Sequence, residues 1–228
     1  MRNLAIIPAR GGSKRIPHKN IKFFMGKPIV AYSIETAINS GLFDKVMVST
    51  DDDEIAEVAK KYGADVPFLR SKETANDYAT LNDVIKEVIN TYKEQGIEYD
   101  NVCCILATAP LITPDLLNFG YDKLLSSNLY STVYPIVAFS YPIQRCLQIN
   151  AEGTMSMKWP EYSRSRSQDL EKLYHDTGTF YWHKVKLWMS GNIKKTAIIL
   201  NDLQVQDIDT EVDWKLAELK YSLLNDNK

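Results

Sequence analysis

The first apolar run of the chain stops at Pro8 and leads directly into Ala9-Arg10-Gly11-Gly12-Ser13-Lys14-Arg15-Ile16-Pro17-His18-Lys19-Asn20, with two glycines and four Arg or Lys side chains. Glycines let backbone N–H groups come close to an anion, and ligands of open α/β sheets bind beyond the carboxyl ends of strands. These residues suit polyphosphate binding, against the plainer alternative of a solvated basic loop. The spacing is neither G-x-G-x-x-G nor G-x-x-x-x-G-K-[ST], so neither the dinucleotide fingerprint nor the P-loop is indicated. Near the other end Asp207 and Asp209 flank Ile208, at what reads as the C-terminal end of a strand. In extended chain, residues two apart point the same way, so both carboxylates can meet one hard cation such as Mg²⁺, which prefers oxygen ligands. Most D-x-D pairs are surface turns, and this one gains weight only beside the basic loop.

Other candidates divide less cleanly. Asp51-Asp52-Asp53-Glu54 follows an apolar run and opens a helical pattern, where carboxylates cap orphan N–H groups, and capping is favoured over metal binding. Arg164 and Arg166 alternate with Ser163, Ser165 and Ser167; two guanidiniums could chelate a carboxylate, or could decorate a solvated edge strand. His18, His175 and His183 lack zinc spacing and read as hydrogen-bonded structural residues. No Ser/His/Asp arrangement and no cysteine with a nearby base stands out. The chemistry on offer is charge handling rather than covalent catalysis.

The elements that must position these groups follow from periodicity. Leu4 to Ile7, Lys45 to Thr50 and Val102 to Leu106 are continuous apolar runs, as expected of strands buried on both faces. Between them Ile29, Ser33, Ile34, Ala37 and Ile38, then Ile55, Val58, Ala59 and Tyr62, then Leu81, Val84, Ile85, Val88, Ile89 and Tyr92 fall at helical spacing. Gly41, Gly63 and Gly96 follow these helices, where a residue tolerating φ > 0 closes the C-terminus. Strand, helix, strand repeated predicts a parallel α/β sheet. Further helices are expected over Pro114 to Leu125 and from Glu211 to about Leu224, with a strand at TAIIL between them. The aromatic-rich stretch at about 140–178 reads as an excursion from the sheet.

Composition bounds the function classes. The 228 residues carry 27 Lys plus Arg against 29 Asp plus Glu, a formal net charge of −2, which argues against a nucleic-acid-coating protein. The fractions of 45% hydrophobic and 25% charged residues are those of a globular chain, for which one domain spanning 1–228 is expected. Cys103, Cys104 and Cys146 form neither a disulfide framework nor a zinc pattern, and no export signal is read at the start, so a cytoplasmic location is expected. The uncharged stretch Leu124 to Gln144 contains serines, Asn128 and two prolines, and reads as helix end, turn and buried strand rather than a membrane span.

Three ordered segments, IIPARGGSKRIPHKNI, VSTDDDEIAEVAKKYGADVPFLR and IDTEVDW, resemble the signatures of the cytidylyltransferases that activate nine-carbon and eight-carbon acidic sugars. The resemblance covers nearly the whole chain. YPIQRCLQI and SRSQDLEKLYHDTGTFYW most resemble the branch that acts on pseudaminic acid. It implies a three-layer α/β/α fold of the nucleotide-sugar transferase, Rossmann-like type, with a mostly parallel sheet and an excursion used in a homodimer. The implied reaction joins CMP from CTP to a free acidic sugar and releases pyrophosphate, with Mg²⁺ as cofactor and neither nucleic acid nor membrane as partner.

Carried over position by position, the resemblance implies that Arg10, Lys14 and Lys19 hold the triphosphate along the loop containing Gly11, Gly12 and Ser13, with Lys19 nearest the α-phosphate. Asn20 would help fix the nucleotide, and Arg70, Ala79 and Thr80 would meet cytosine. Asp207 and Asp209 match the Mg²⁺ aspartates and, with Lys19 and Arg10, form the expected catalytic set. The sugar side is expected at Thr108, Gln144, Arg164 and Arg166. Sialic acid members commonly have Gln where Ala107 stands here, which weakens a sialic acid assignment. CMP-sialic or CMP-legionaminic acid synthesis is the alternative within the family. A glycosyltransferase of similar fold and a non-catalytic nucleotide-binding regulator are alternatives of other classes.

Overall fold

The computed structural model describes residues 1–225. In chain order the strands are β1 (Asn3–Pro8), β2 (Phe23–Phe24), β3 (Lys27–Pro28), β4 (Lys45–Ser49), β5 (Asn101–Ile105), β6 (Thr132–Ala138), β7 (Leu147–Ile149), β8 (Met155–Met157), β9 (Tyr174–Asp176), β10 (Phe180–Lys184) and β11 (Lys195–Leu200). The helices are α1 (Ile29–Asn39), α2 (Asp53–Lys61), α3 (Lys72–Ala75), α4 (Leu81–Glu94), α5 (Pro114–Leu125), α6 (Val185–Met189) and α7 (Glu211–Asn225).

The central sheet has the order β11-β6-β10-β5-β1-β4, with β9 also paired to β6. Strand β1 is parallel to both β4 and β5, and β11 is parallel to β6. Against these, β10 runs antiparallel to β5 and β6, and β9 antiparallel to β6. The expected parallel order therefore holds for the N-terminal half, and β10 closes the sheet as a returning strand.

Alternation along β1 shows why the sheet is buried on both sides. Ala5 and Ile7 face a cluster with Val30, Ile34 and Ala37 of α1, Ile55 and Ala59 of α2, and Leu117 and Leu124 of α5. Leu4 and Ile6 face the other cluster, with Ile85, Val88, Ile89 and Tyr92 of α4 and Trp188 of α6. Helix, sheet and helix form three layers. The helical spacings of the sequence thus become the inner faces, and the left-handed backbone of Gly41, Gly63 and Gly96 (φ 66, 91 and 76) ends α1, α2 and α4. The stretch Leu124 to Gln144 folds as the end of α5, a turn, β6 and a short 3₁₀ turn, and no helix among the described residues is long and apolar enough to cross a membrane.

A third cluster positions the site. Ile16 of the basic loop and Ile208 between the two aspartates meet Phe24, Ile29, Tyr32, Trp214 and Ala217. Ile16 and Ile208 are both fully buried, each contributing about 1.5–3 kcal/mol, so apolar packing brings segments from opposite ends of the chain together. The excursion carries the β7–β8 hairpin as a separate sheet and rejoins the central sheet at β9.

Candidate active site

The basic loop leaves β1 at Pro8 and is shaped by contacts with the β4–α2 turn. Asp52 caps α2, its side chain accepting from the Ile55 N–H at 3.1 Å, while Asp51 accepts from the Gly11 N–H at 3.0 Å. The acidic run therefore caps the helix as expected, and it also ties down the loop. A Cβ on Gly11 would lie 2.5 Å from the Asp52 carboxylate, so glycine is required there for close approach. The Asn20 amide donates to the Arg10 carbonyl at 2.9 Å, bracing the loop from its far end. His18, in the left-handed region at φ 50, turns the chain into the short 3₁₀ helix that begins at Lys19.

The loop lines a cavity of about 630 Å³ whose wall includes Arg10, Ser13, Lys14, Arg15, Lys19 and Asn20. Arg70, Ala79 and Thr80 line another wall, as do Ala107 and Thr108 beyond β5. Arg70 is buried, donating from Nη2 to the Ser49 carbonyl at 2.5 Å and from Nε to Ser49 Oγ at 3.1 Å. Burial lowers its pKa, partly offset by Asp51 and Glu87. Thr80 caps α4 reciprocally with Asp83, which fixes the wall next to Ala79.

Asp207 and Asp209 do not end a strand. Strand β11 stops at Leu200, and both aspartates lie in an irregular segment before α7. Side chains supply what a sheet ladder would otherwise provide: Lys19 Nζ donates to the Ile208 carbonyl at 2.6 Å and Lys220 Nζ to the Val205 carbonyl at 2.6 Å. The Asp213 carboxylate accepts from the N–H groups of Asp209 at 3.2 Å and Thr210 at 2.7 Å. Asp209 faces the basic loop, with Arg15 Nη1 at 2.8 Å and Lys19 Nζ at 3.7 Å. It also lines a second cavity of about 540 Å³ with Asp207, Asp213, Lys220, His175, Thr177 and Gly178. The two cavities meet at Asp209.

Asp207 and Asp209 offer carboxylate oxygens, the donor type a hard divalent cation takes. Burial, and then the charge of Asp209, raise the Asp207 pKa, so two like charges oppose each other on one short segment. Among the described residues no group of three or more His, Cys, Asp or Glu is placed to hold a metal, so a cation held by this pair would need phosphate or water oxygens for the rest of its shell. For a carboxyl whose pKa is raised by folding, the ionisation penalty is present at neutral pH and is relieved as pH falls through the raised value. Asp207→Asn is therefore expected to melt slightly higher than wild type in EDTA and to lose any stabilisation that added Mg²⁺ gives to wild type. A lower melting point in EDTA would show that the carboxylate is structural.

The comparisons with known proteins now decide the family. A family model described as cytidylyltransferase matches residues 4–183. The chain belongs to the cytidylyltransferase family. It is 45% identical to a pseudaminic acid cytidylyltransferase of Campylobacter jejuni subsp. jejuni over 98% of this chain and 97% of that protein. A CMP-N,N'-diacetyllegionaminic acid synthase of Legionella pneumophila is 32% identical over 96% of this chain and 95% of that protein. A solved CMP:2-keto-3-deoxy-manno-octonic acid synthetase, complexed with CTP, shares the fold with a TM-score of 0.71, covering 99% of this chain and 100% of that chain at 18% identity.

In this cytidylyltransferase, a CTP-dependent nucleotidyltransferase, the residues expected from sequence are brought together unevenly. Arg10, Ser13, Lys14, Lys19, Asn20, Arg70, Ala79, Thr80 and Thr108 line the larger cavity, Asp207 the smaller, and Asp209 both. Gly11 and Gly12 line neither, and the Gly11 N–H is taken by Asp51 rather than offered to an anion. Gln144 is buried at the root of the excursion, donating to the Glu171 carbonyl at 3.0 Å, because its short 3₁₀ turn packs inward. Arg164 and Arg166 line neither cavity; Arg166 pairs with Asp169 at 2.7 Å. His183 is a buried structural residue bonded to Thr132 at 3.0 Å, its pKa lowered to about 3 by burial. Sequence reading counted Arg15 only among the loop cations and assigned no role to Asp77, Asp213 or Lys220. Arg15 and Asp77 each pair with residues far away along the chain, Lys220 reaches back fifteen residues, and Asp213 caps the turn just before it.

Proposed function

We propose that the protein transfers CMP from CTP to the anomeric hydroxyl of a free nonulosonic acid, with pseudaminic acid as the substrate, and releases pyrophosphate. The observation that supports this reading is the meeting of a cation-lined and an acid-lined cavity at Asp209, as a polyanion site and a second substrate site on either side of one carboxylate would require. CTP occupies the larger cavity, with cytosine beside Arg70, Ala79 and Thr80 and the triphosphate along Arg10, Lys14 and Lys19. The sugar occupies the smaller.

In the reaction the anomeric hydroxyl passes its proton to an aspartate of the Asp207 and Asp209 pair, or to solvent, as its oxygen bonds to the α-phosphorus in line, the bond to the bridging oxygen breaks and pyrophosphate leaves. Such transfers depend on positioning and charge stabilisation, which the loop cations supply. Lys19 faces both the loop and Asp209, so it stands where charge develops at the α-phosphate. Asp207 and Asp209 would hold Mg²⁺, which when bound neutralises charge on the reacting phosphate oxygens.

The excursion at about 140–178, within a single domain spanning the chain, is proposed to pair with a second copy. Its hairpin leaves Leu147, Ile149 and Met155 exposed, and Tyr141 at the start of the excursion is 86% exposed, apolar surface that a homodimer would cover. Such pairing would let Arg164 or Arg166 reach the sugar carboxylate of the other copy's site. Losing one arginine is then expected to raise the sugar KM by about 10- to 150-fold and leave the CTP KM nearly unchanged. Unchanged sugar KM in both Arg164→Ala and Arg166→Ala would assign the carboxylate to another group. The free thiols of Cys103 and Cys104, buried on opposite faces of β5, and of the exposed Cys146 suit the cytoplasm, the proposed location. Ranking kcat/KM for pseudaminic, legionaminic and sialic acids tests the substrate, and a preference for sialic acid would overturn the branch assignment.

A further inference from the structure

The four cations of the basic loop divide into two pairs. Arg15 and Lys19 face Asp209, whereas Arg10 and Lys14 face Asp77 on the opposite wall of the larger cavity. Each Asp77 oxygen takes one of the latter: Oδ1 accepts from Arg10 Nη1 at 2.8 Å and Oδ2 from Lys14 Nζ at 2.5 Å. These are two of the cations proposed to bind the triphosphate, and a carboxylate sits on both.

We propose that Asp77 is an internal competitor for the polyphosphate, which weakens the hold of the site on pyrophosphate. This rests on reading the larger cavity as the CTP site. A ligand that extends past the α-phosphate must displace the carboxylate from Arg10 and Lys14, whereas a nucleoside monophosphate, whose phosphate lies at Lys19, need not. CTP and pyrophosphate therefore meet the competitor and CMP does not. After the transfer, pyrophosphate no longer has the nucleoside to hold it, and Asp77 exchanges one anion for another on the same two donors.

The local structure permits this exchange. Asn76 Oδ1 accepts from the N–H groups of Tyr78 at 2.8 Å and Ala79 at 3.0 Å, so the turn is held by its own asparagine. The Asp77 side chain is 45% exposed and can leave the two cations without breaking that turn or the Thr80 cap. Lys14 and then Arg10 hold its carboxyl below the usual range, so it is an anion at neutral pH.

The test is calorimetric binding of pyrophosphate, CTP and CMP to wild type, Asp77→Asn and Asp77→Ala, with circular dichroism confirming that both variants are folded. Because the ion pairs are exposed, both variants are expected to bind pyrophosphate and CTP about three- to tenfold more tightly, with CMP unchanged. The pyrophosphate product-inhibition constant should fall by the same factor. Unchanged or weaker pyrophosphate binding in the variants, or equal tightening of CMP, would overturn the role of Asp77. Failure of wild type to bind either CTP or pyrophosphate would instead overturn the reading of the cavity.

Discussion

Asp209→Asn is expected to lower pyrophosphate release by at least about a hundredfold while leaving the protein folded. The carboxylate stands where the two cavities meet, beside Arg15 and Lys19, and the substitution removes its charge without changing its size. Asp207→Asn should lose activity to a similar extent, and chelation with EDTA should reproduce both. The Asp213 carboxylate and the two lysine-to-carbonyl bonds hold the backbone of the segment independently of Asp209's own charge, so the variant's melting curve should stay cooperative. Near wild-type turnover of Asp209→Asn at saturating Mg²⁺ would remove the aspartate from the reaction.

The second large effect is expected at Lys19. Lys19→Ala should depress kcat by about 10²–10³-fold and raise the KM for CTP much less, because the interaction strengthens as charge develops on the pentavalent centre. Its Nζ also holds the Ile208 carbonyl, so part of the loss could come through displaced aspartates. Measuring Mg²⁺ dependence separates the contributions: a displaced segment weakens metal affinity, whereas a lost transition-state contact lowers kcat at saturating Mg²⁺. Unchanged kcat with weakened CTP binding would make Lys19 a ground-state anchor.

What the sequence made legible follows from short-range physics. Continuous apolar runs became β1, β4 and β5, and the helical spacings became the buried faces of α1, α2 and α4, because periodicity records burial directly. The basic loop was legible for the same reason, since it leaves a buried strand at its carboxyl end. Asp207 and Asp209 stand out by residue type, but the strand end expected to carry them is absent. Their segment has no ladder and hangs from Lys19, Lys220 and Asp213, side-chain bonds that no backbone pattern reports. Asp77 pairs with residues more than sixty positions earlier, and no local pattern marks such a contact. The antiparallel return of β10 was hidden because the aromatic-rich stretch before it mixes short strands and turns.

Incubation of the protein with CTP, Mg²⁺ and free pseudaminic acid, followed by phosphorus NMR and mass spectrometry, tests the proposed reaction most directly. One pyrophosphate and one CMP-linked sugar should form for each CTP consumed. Binding of CTP without pyrophosphate from pseudaminic, legionaminic or sialic acid, or consumption of a CMP-sugar as donor with no pyrophosphate released, would contradict it.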